Sequence, residues 1–406
     1  MFEKIESCLA CGNDHLIPVL DLNDQPLANS YTKTKDEELP EFPLNINRCS
    51  KCFHVQLSVS VNPDLMFKEY LYVSGTSQTM RDYFDWFAKF ANEYYRILSD
   101  EKVYSALDIG CNDGSQLDSF NKVDPLIETY GIDPAENLYE KSSRNHEVFC
   151  GYFDSHYAKT NTFKDIIVAQ NVFAHNYNPL AFMRNVSELM HDFSLFFVQT
   201  SQANMILNNE FDTIYHEHIS FYNIKSMDEL CKRSGLNLID VVKTPLHGTS
   251  YLFVISKGKS RSANIENLIR MEEIAGLYSD ETYIKYEQKC KDLTNKLKDT
   301  IEEYRNNGFK IVGYGAAAKG NTLLNFSKIQ MEYIIDDNPM KHNYYTPGSK
   351  IKIVSKDILD EYTSEDKILF VPLAWNFFKE ISNNIKNKRT NPNDRFLTYF
   401  PQVQVF

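Results

Sequence analysis

With 406 residues, 43 % of them apolar, the chain has material for two or three cores and is too long for one ordinary domain. A net charge of −12 argues against a general binder of phosphate backbones, although it leaves room for a local basic pocket. The start, MFEKIESCLACG, lacks the apolar core of a secretion signal and no stretch reaches bilayer-spanning length, so a cytoplasmic protein with neither membrane nor nucleic acid as partner is expected.

The first 60 residues carry two C-x-x-C pairs, Cys8 with Cys11 and Cys49 with Cys52. Each pair puts two thiolates on one tight knuckle, and two knuckles complete a tetrahedral S4 site for structural Zn2+. So short a lobe, with Pro26, Pro40 and Pro43 and little periodicity, needs such a staple. Two disulfides would be the alternative, which the cytosol disfavours. Four thiolates leave no open position for water, so the metal is expected to be structural. The scattered Cys150, Cys231 and Cys290 read as small buried hydrophobes.

Tyr70 and Tyr72 precede a helical stripe and are candidates for a pocket wall. Ser77 suits the cap of the helix that follows, whose apolar Met80, Tyr83, Phe84, Phe87, Phe90 and Tyr94 keep helical spacing. From 103 to 256 strands and helices alternate as a parallel sheet requires, with strands expected at 103–109, 128–132, 146–150, 165–170, 194–200, 237–242 and 250–256. The first ends in Asp108-Ile109-Gly110-Cys111-Asn112-Asp113-Gly114, a turn of small residues before a helix. Such a turn presents backbone N–H groups at the ligand-binding end of an open sheet. Asp133, closing the next strand, suits a ribose diol, and a nucleoside-type ligand is expected. Without G-x-G-x-x-G the ligand is not expected to be NAD.

By the rule that ligands sit at the carboxyl ends of strands, Gln170, Asn171 and His175 should face the same cleft, with Gln199-Thr200-Ser201 beside it. Tyr215-His216-Glu217-His218 follows, its histidines too close in sequence to share one helical face around a metal. Its apolar flanks favour a covered site, either catalytic or a structural hydrogen-bond cluster. His247 forms a further candidate edge of the pocket.

Residues 263–307 read as a helix stopped at Gly308. A second α/β unit repeats the opening design: strand 309–314, the turn Gly313-Tyr314-Gly315-Ala316-Ala317-Ala318-Lys319-Gly320-Asn321, a helix, and strand 331–336 ending in Asp336. Further strands are expected at 351–354, 367–371 and 396–405. A lysine beside exposed amides favours a phosphate or diphosphate, although Lys319 merely closing a degenerate turn is the plainer alternative. Lys319, Asn321 and Asp336 are the candidate contacts there, with Tyr70 and His247 toward the same substrate.

The loop D-x-G-x-x-x-G followed by a strand-end acid resembles the S-adenosylmethionine (SAM) site of class I methyltransferases. The C-x-x-C pairs, Asp-Ile-Gly-Cys-Asn-Asp-Gly, Tyr-His-Glu-His and the late Gly-Tyr-Gly-Ala-x-x-Lys-Gly-Asn together resemble the nucleotide-sugar C-methyltransferases of deoxysugar pathways. That resemblance implies an α/β monomer of three parts: a zinc lobe over 1–75, a SAM-binding Rossmann-like domain over 76–260 and a C-terminal Rossmann-like domain over 261–406 that takes the nucleotide sugar. It implies SAM as cofactor, bound through Asp108, Gly110, Asn112, Asp113, Gly114, Asp133, Gln170 and Asn171, and methylation of the carbon beside the ketone of a 4-keto nucleotide sugar. His218 becomes the base, with Glu217 orienting the site, Tyr215 and Tyr72 lining it, and His175 the rival base. An O- or N-methyltransferase, a non-catalytic sugar-nucleotide-binding protein and, lower, an NAD-dependent oxidoreductase are the competing readings.

Overall fold

A computed structural model describes residues 1–68, 73–200, 204–244 and 250–406. Tyr70, Tyr72, His247 and Ser201 therefore lie outside the described residues. Near the N-terminus, strands Leu16–Pro26, Glu41–Cys49 and Val55–Leu57 form an antiparallel sheet, joined at its edge by Ser220–Phe221 from far along the chain. Period-two burial of Phe42, Leu44 and Ile46 sets the register of its middle strand.

The two cysteine knuckles fold as expected and meet at one end of this sheet. Gly12, at φ +77°, turns the first back so that its N–H donates to the Cys8 carbonyl at 2.8 Å. Phe53 does the same for the second, donating to the Cys49 carbonyl at 3.1 Å. The four sulfurs lie within 4.8 Å of one another, with Cys8 and Cys52 Sγ 3.6 Å apart and Cys11 and Cys49 Sγ 3.5 Å apart. Zn–S bonds of about 2.3 Å in a tetrahedron put sulfurs roughly 3.8 Å apart, which this cage fits. The knuckles are braced from the next part of the chain, since Arg233 donates to the Ala10 carbonyl at 2.6 Å and Asn223 to the Phe53 carbonyl at 2.8 Å.

The central sheet holds seven strands: Ser105–Ile109, Glu128–Asp133, Glu147–Cys150, Ile166–Gln170, Leu195–Thr200, Asn237–Thr244 and Ser250–Ser256. In space they run third, second, first, fourth, fifth, seventh, sixth, parallel except for the seventh, which lies antiparallel between the fifth and sixth. Every expected strand is present. Their continuous apolar runs are covered on both faces. One cover is helix Gln78–Ser99, where Met80, Tyr83, Phe84 and Phe87 are buried and Phe90 and Tyr94 half-buried; Phe87 meets Phe197 edge-on at 5.5 Å. Ser77 stands at its cap but makes no side-chain capping bond. Cys231 and Cys290 are buried, whereas Cys150 is exposed, because it ends the edge strand of the sheet, paired on one side only.

The expected helix over 263–307 is two helices, Asn264–Ile274 and Asp280–Asn306. Gly276, at φ +85°, stops the first: its N–H and that of Leu277 return to the carbonyls of Glu273 and Glu272. Beyond them strands Lys310–Tyr314, Tyr333–Ile335, Ile353–Val354, Ile368–Pro372 and Arg395–Thr398 are parallel in the order third, second, first, fourth, fifth, a Rossmann-like arrangement. The strand expected at 396–405 is two strands: Gln404–Val405 turns back antiparallel onto Arg395–Thr398. No helix among the described residues is long and apolar enough to cross a membrane.

Replacing Cys8 or Cys49 by serine leaves three thiolates and opens the cage. Metal analysis should then show less than one zinc per chain. Because structural zinc contributes on the order of 10 kcal/mol to folding in small metal-stapled units, the melting temperature should fall by several degrees.

Candidate active site

The strand Ser105–Ile109 ends at Gly110, whose φ of +83° and whose distance to Val172, 2.8 Å from where a Cβ would sit, both demand glycine. The Gly110 and Cys111 N–H groups donate to the Ile132 carbonyl at 2.7 and 3.1 Å. Asn112, at φ +50°, donates its N–H to Asp133 Oδ2 at 2.8 Å, and Asp133 Oδ1 accepts from Ala135 N–H at 2.8 Å. The expected ribose acid thus also locks the loop to the neighbouring strand. Asp113 is buried in an ion pair with Lys141 at 2.7 Å and accepts from Gly75 N–H at 3.3 Å. Gly114 caps the helix Ser115–Val123 and packs toward Ser142 and His146 instead of the cleft. Burial, with the Asp133 charge beside it, pushes the Asp108 carboxyl up to about 7.

At the fourth strand's end Gln170, Asn171 and His175 do face this cleft. Gln199 lies behind it, fully buried, its carbonyl accepting from Asn171 N–H at 2.8 Å. Both side-chain polar atoms of Gln170, and Nε2 of His175, are buried with no hydrogen-bond partner among the described residues. The His175 ring stacks between Phe67 at 5.4 Å and His218 at 5.3 Å, and burial pushes it down to about 4, so it is neutral near pH 7.

Tyr215–His218 forms a turn, closed by His218 N–H donating to the Tyr215 carbonyl at 2.9 Å and anchored where Ile219 N–H donates to the Ala174 carbonyl at 2.9 Å. The two histidines part company. His216 turns away to donate from Nε2 to the Phe42 carbonyl at 3.2 Å. His218 turns into the cleft. Its Nδ1 lies 2.9 Å from the Thr213 carbonyl oxygen, which can only accept, so Nδ1 carries the proton and Nε2 the lone pair. Tyr215 Oη stands 2.7 Å from that Nε2. Glu217 is 4 % exposed, and Asn29 Nδ2 donates to its Oε1 at 2.5 Å.

From the C-terminal sheet, Gly315 at φ +90° opens the turn into helix Ala318–Ser327. Ala317, Ala318 and Lys319 reach the cleft. The Lys319 ammonium lies 5.0 Å over the Trp375 ring, whose N–H donates to Asp212 at 2.8 Å. Asn321 and Asp336 do not reach it. Asn321 is fully buried and donates to the Ala28 carbonyl at 2.7 Å; Asp336 accepts from Ala316 N–H at 2.7 Å and Asn338 N–H at 2.8 Å. Asn29 and Lys341 line the cleft without any motif to announce them.

One cavity of about 770 Å³ runs from Asp108 and Asp133 past His175, Glu217 and His218 to Lys319. That volume lies within the range of small-molecule and cofactor sites.

Residues 8–67 match the family described as "Putative zinc binding domain", residues 76–241 that described as "Methyltransferase domain", and residues 245–401 that described as "C-methyltransferase C-terminal domain". The C-methyltransferase NovU of Streptomyces niveus is 26 % identical over 416 residues, covering 99 % of this chain and 97 % of NovU. Among solved structures, the plantazolicin methyltransferase BamL in complex with a triazolic desmethylPZN analog and SAH is 16 % identical, over 44 % of this chain and 86 % of its own, with a TM-score of 0.38. Magnesium protoporphyrin IX methyltransferase (ChlM) from Synechocystis PCC 6803 with bound SAM is 11 % identical, over 46 % of this chain and 88 % of its own, with a TM-score of 0.33.

The matched families, the sheet order and the glycine loop define a methyltransferase that uses SAM, with an N-terminal zinc site. Together the three matched segments give the chain the domain set of a SAM-dependent C-methyltransferase. The unpartnered Gln170 amide and the backbone turn at Gly110–Asn112 fit that cofactor.

His175 gives the site a pH signature. Its folded-state pKa lies below the ordinary histidine value, so the unfolded chain binds the extra proton between about 6.5 and about 4. The stability His175 lends is present above that window and is lost as pH falls through it. Compared with His175→Gln, the native protein should therefore lose stability across the window, as read by denaturant unfolding at a series of pH values.

Proposed function

We propose that the protein methylates the carbon beside the ketone of a nucleotide-linked 4-keto sugar. The observation that carries this reading is His218, whose Nδ1 is held by the Thr213 carbonyl and whose Nε2 lies at the cavity 2.7 Å from Tyr215 Oη. Methylation of oxygen or nitrogen needs no base for a C–H bond. Methylation of carbon does.

SAM, when bound, supplies an electrophilic methyl group. The residues of this chain do the rest. His218 Nε2 takes the proton from the carbon next to the ketone, either directly or with Tyr215 Oη between them, and the electron pair left behind delocalises into the carbonyl as an enolate. An unperturbed imidazole pKa near 6.5 suits a base at cytosolic pH. Glu217 faces the same space and supports the imidazolium that forms. His175, pushed down by burial, is the weaker base and serves as a polar contact through its unpartnered Nε2. With Phe67, His175 and the apolar part of the lining excluding water, the developing oxyanion would feel its hydrogen-bond donors strongly.

At the other end, the N-terminus of helix Ala318–Ser327 and the Lys319 ammonium together suit a diphosphate. The domain over 261–406 then holds the nucleotide and the domain over 76–260 the methyl donor, meeting at His218 as a monomer.

Two experiments check these roles. With SAM and a panel of 4-keto nucleotide sugars, the His218→Ala and His218→Asn variants should lose both methylation and solvent deuterium exchange at the reacting carbon. Retention of exchange in both would remove His218 as the base, and a product methylated on oxygen or nitrogen would overturn the reaction class. Lys319→Ala should raise KM for the sugar nucleotide about tenfold or more, the worth of a charge-assisted contact, while calorimetry shows SAM binding unchanged.

A further inference from the structure

Glu217 is almost completely buried, and a carboxylate without water must find its hydrogen-bond donors in the protein. One of them comes from an unexpected part of the chain. The turn after strand Leu16–Pro26 belongs to the sheet whose recognised duty is zinc, yet Asn29 on that turn lines the cavity and reaches the Glu217 carboxylate. We infer that Asn29 is a positioning residue for the methyl-transfer site, holding and orienting Glu217 from the N-terminal sheet. The inference rests on the reading of the site given above.

The turn is built to hold an atom in place. The Ala28 carbonyl accepts from the fully buried Asn321 amide at 2.7 Å. Tyr31 donates its hydroxyl to the Ala316 carbonyl at 2.6 Å, and Thr32 and Tyr345 exchange backbone hydrogen bonds at 3.1 and 2.8 Å. Both flanks of Asn29 are thus fastened to the C-terminal sheet, while its side chain points to the turn Tyr215–His218. An amide fixed in this way presents N–H to Oε1 and leaves Glu217 little rotamer freedom, which is what positioning requires. Neighbouring charged and titratable groups around the cavity are Tyr215 and His218 on the same turn, His175 after the fourth strand, Asp108 and Asp133 at the cofactor loop, and Lys319 and Lys341 from the C-terminal sheet.

Asn29→Asp and Asn29→Leu separate positioning from packing. Both keep the heavy-atom count and branching of asparagine; leucine donates nothing to Glu217, and aspartate forms a carboxyl pair with it that must share a proton or repel. Loss of a hydrogen bond to a charged group predicts a fall in kcat of about tenfold to a hundredfold for leucine, and a fall for aspartate that deepens as pH rises and the shared proton is lost. KM for the sugar nucleotide, SAM affinity by calorimetry and zinc content should stay close to the native values. A merely structural role predicts the opposite pattern, with kcat kept and thermal stability or zinc content lowered. Native kcat in Asn29→Leu, or in Asn29→Asp at high pH, would overturn the inference. If the native protein itself turns over none of the 4-keto nucleotide sugars, the reading of the reaction fails; native turnover with undiminished variants fails Asn29 alone.

Discussion

The carbonyl oxygen of Ala316 pins the N-terminal sheet to the C-terminal one beside the cavity. It accepts from the Tyr31 hydroxyl of the N-terminal sheet at 2.6 Å and from the Lys341 ammonium of the C-terminal sheet at 2.7 Å. The same peptide's N–H is held by Asp336. Burial works against the Lys341 charge, yet Tyr31 and Asp336 more than offset it and keep its pKa above the ordinary lysine value. Lys341 therefore spends its charge as a pin inside the protein, and Lys319 is the better suited of the two to an anionic ligand. Away from bulk water such bonds are electrostatically stronger, so few of them are needed. Two more bonds tie the C-terminal unit to the segment that follows the central sheet's fifth strand, Thr322 to the Ile214 carbonyl at 3.0 Å and Trp375 to Asp212 at 2.8 Å.

Within the cavity the polar groups are treated in the opposite way. Leaving a buried donor or acceptor unpaired costs about 1–3 kcal/mol, and folded proteins normally avoid it. Gln170 leaves both amide atoms unpaired, and His175 leaves Nε2, side by side where the fourth strand ends. Nothing in the packing of the sheet needs a glutamine or a histidine there. The cost makes sense when a bound ligand supplies the missing partners, and it concentrates where the SAM end of the cavity meets the reaction end.

Strands were legible wherever burial on both faces left unbroken apolar runs, as in Leu195–Thr200 and Ser250–Ser256. Zinc was legible because four thiolates at that spacing have few other uses. Breaks depended on finer signals: one glycine at 276 ended a helix whose apolar spacing otherwise continued, and the last strand doubled back within a run that read as extended. The Tyr-His-Glu-His stretch marked a turn that lies at the cavity, but only the fold shows which imidazole of the pair enters it. Asn29, Tyr31 and Lys341 carry no motif at all. Tertiary packing brings them to the cavity from distant stretches, so no local spacing could reveal them.

The two glycine turns show why a strand-end acid is a poor guide to a ligand. Asp133 accepts from the loop amide of Asn112 and from the amide two residues further on, Ala135. Asp336 accepts from the loop amide of Ala316 and from the amide two residues further on, Asn338. The two bonding patterns are the same, and each closes a turn whose backbone would otherwise leave buried N–H groups without acceptors. An acid at that place is therefore required by the turn itself, with or without a ribose to bind. Asp133 also lines the cavity and Asp336 does not, although their sequence contexts look alike. What separates the two sites is what flanks the turn: an uncharged Gln170 amide beside the first, and the Lys319 cation over Trp375 beside the second. A neutral polar wall suits a nucleoside, while a cation at a helix N-terminus suits phosphate, and the stacked imidazoles of His175 and His218 stand between them.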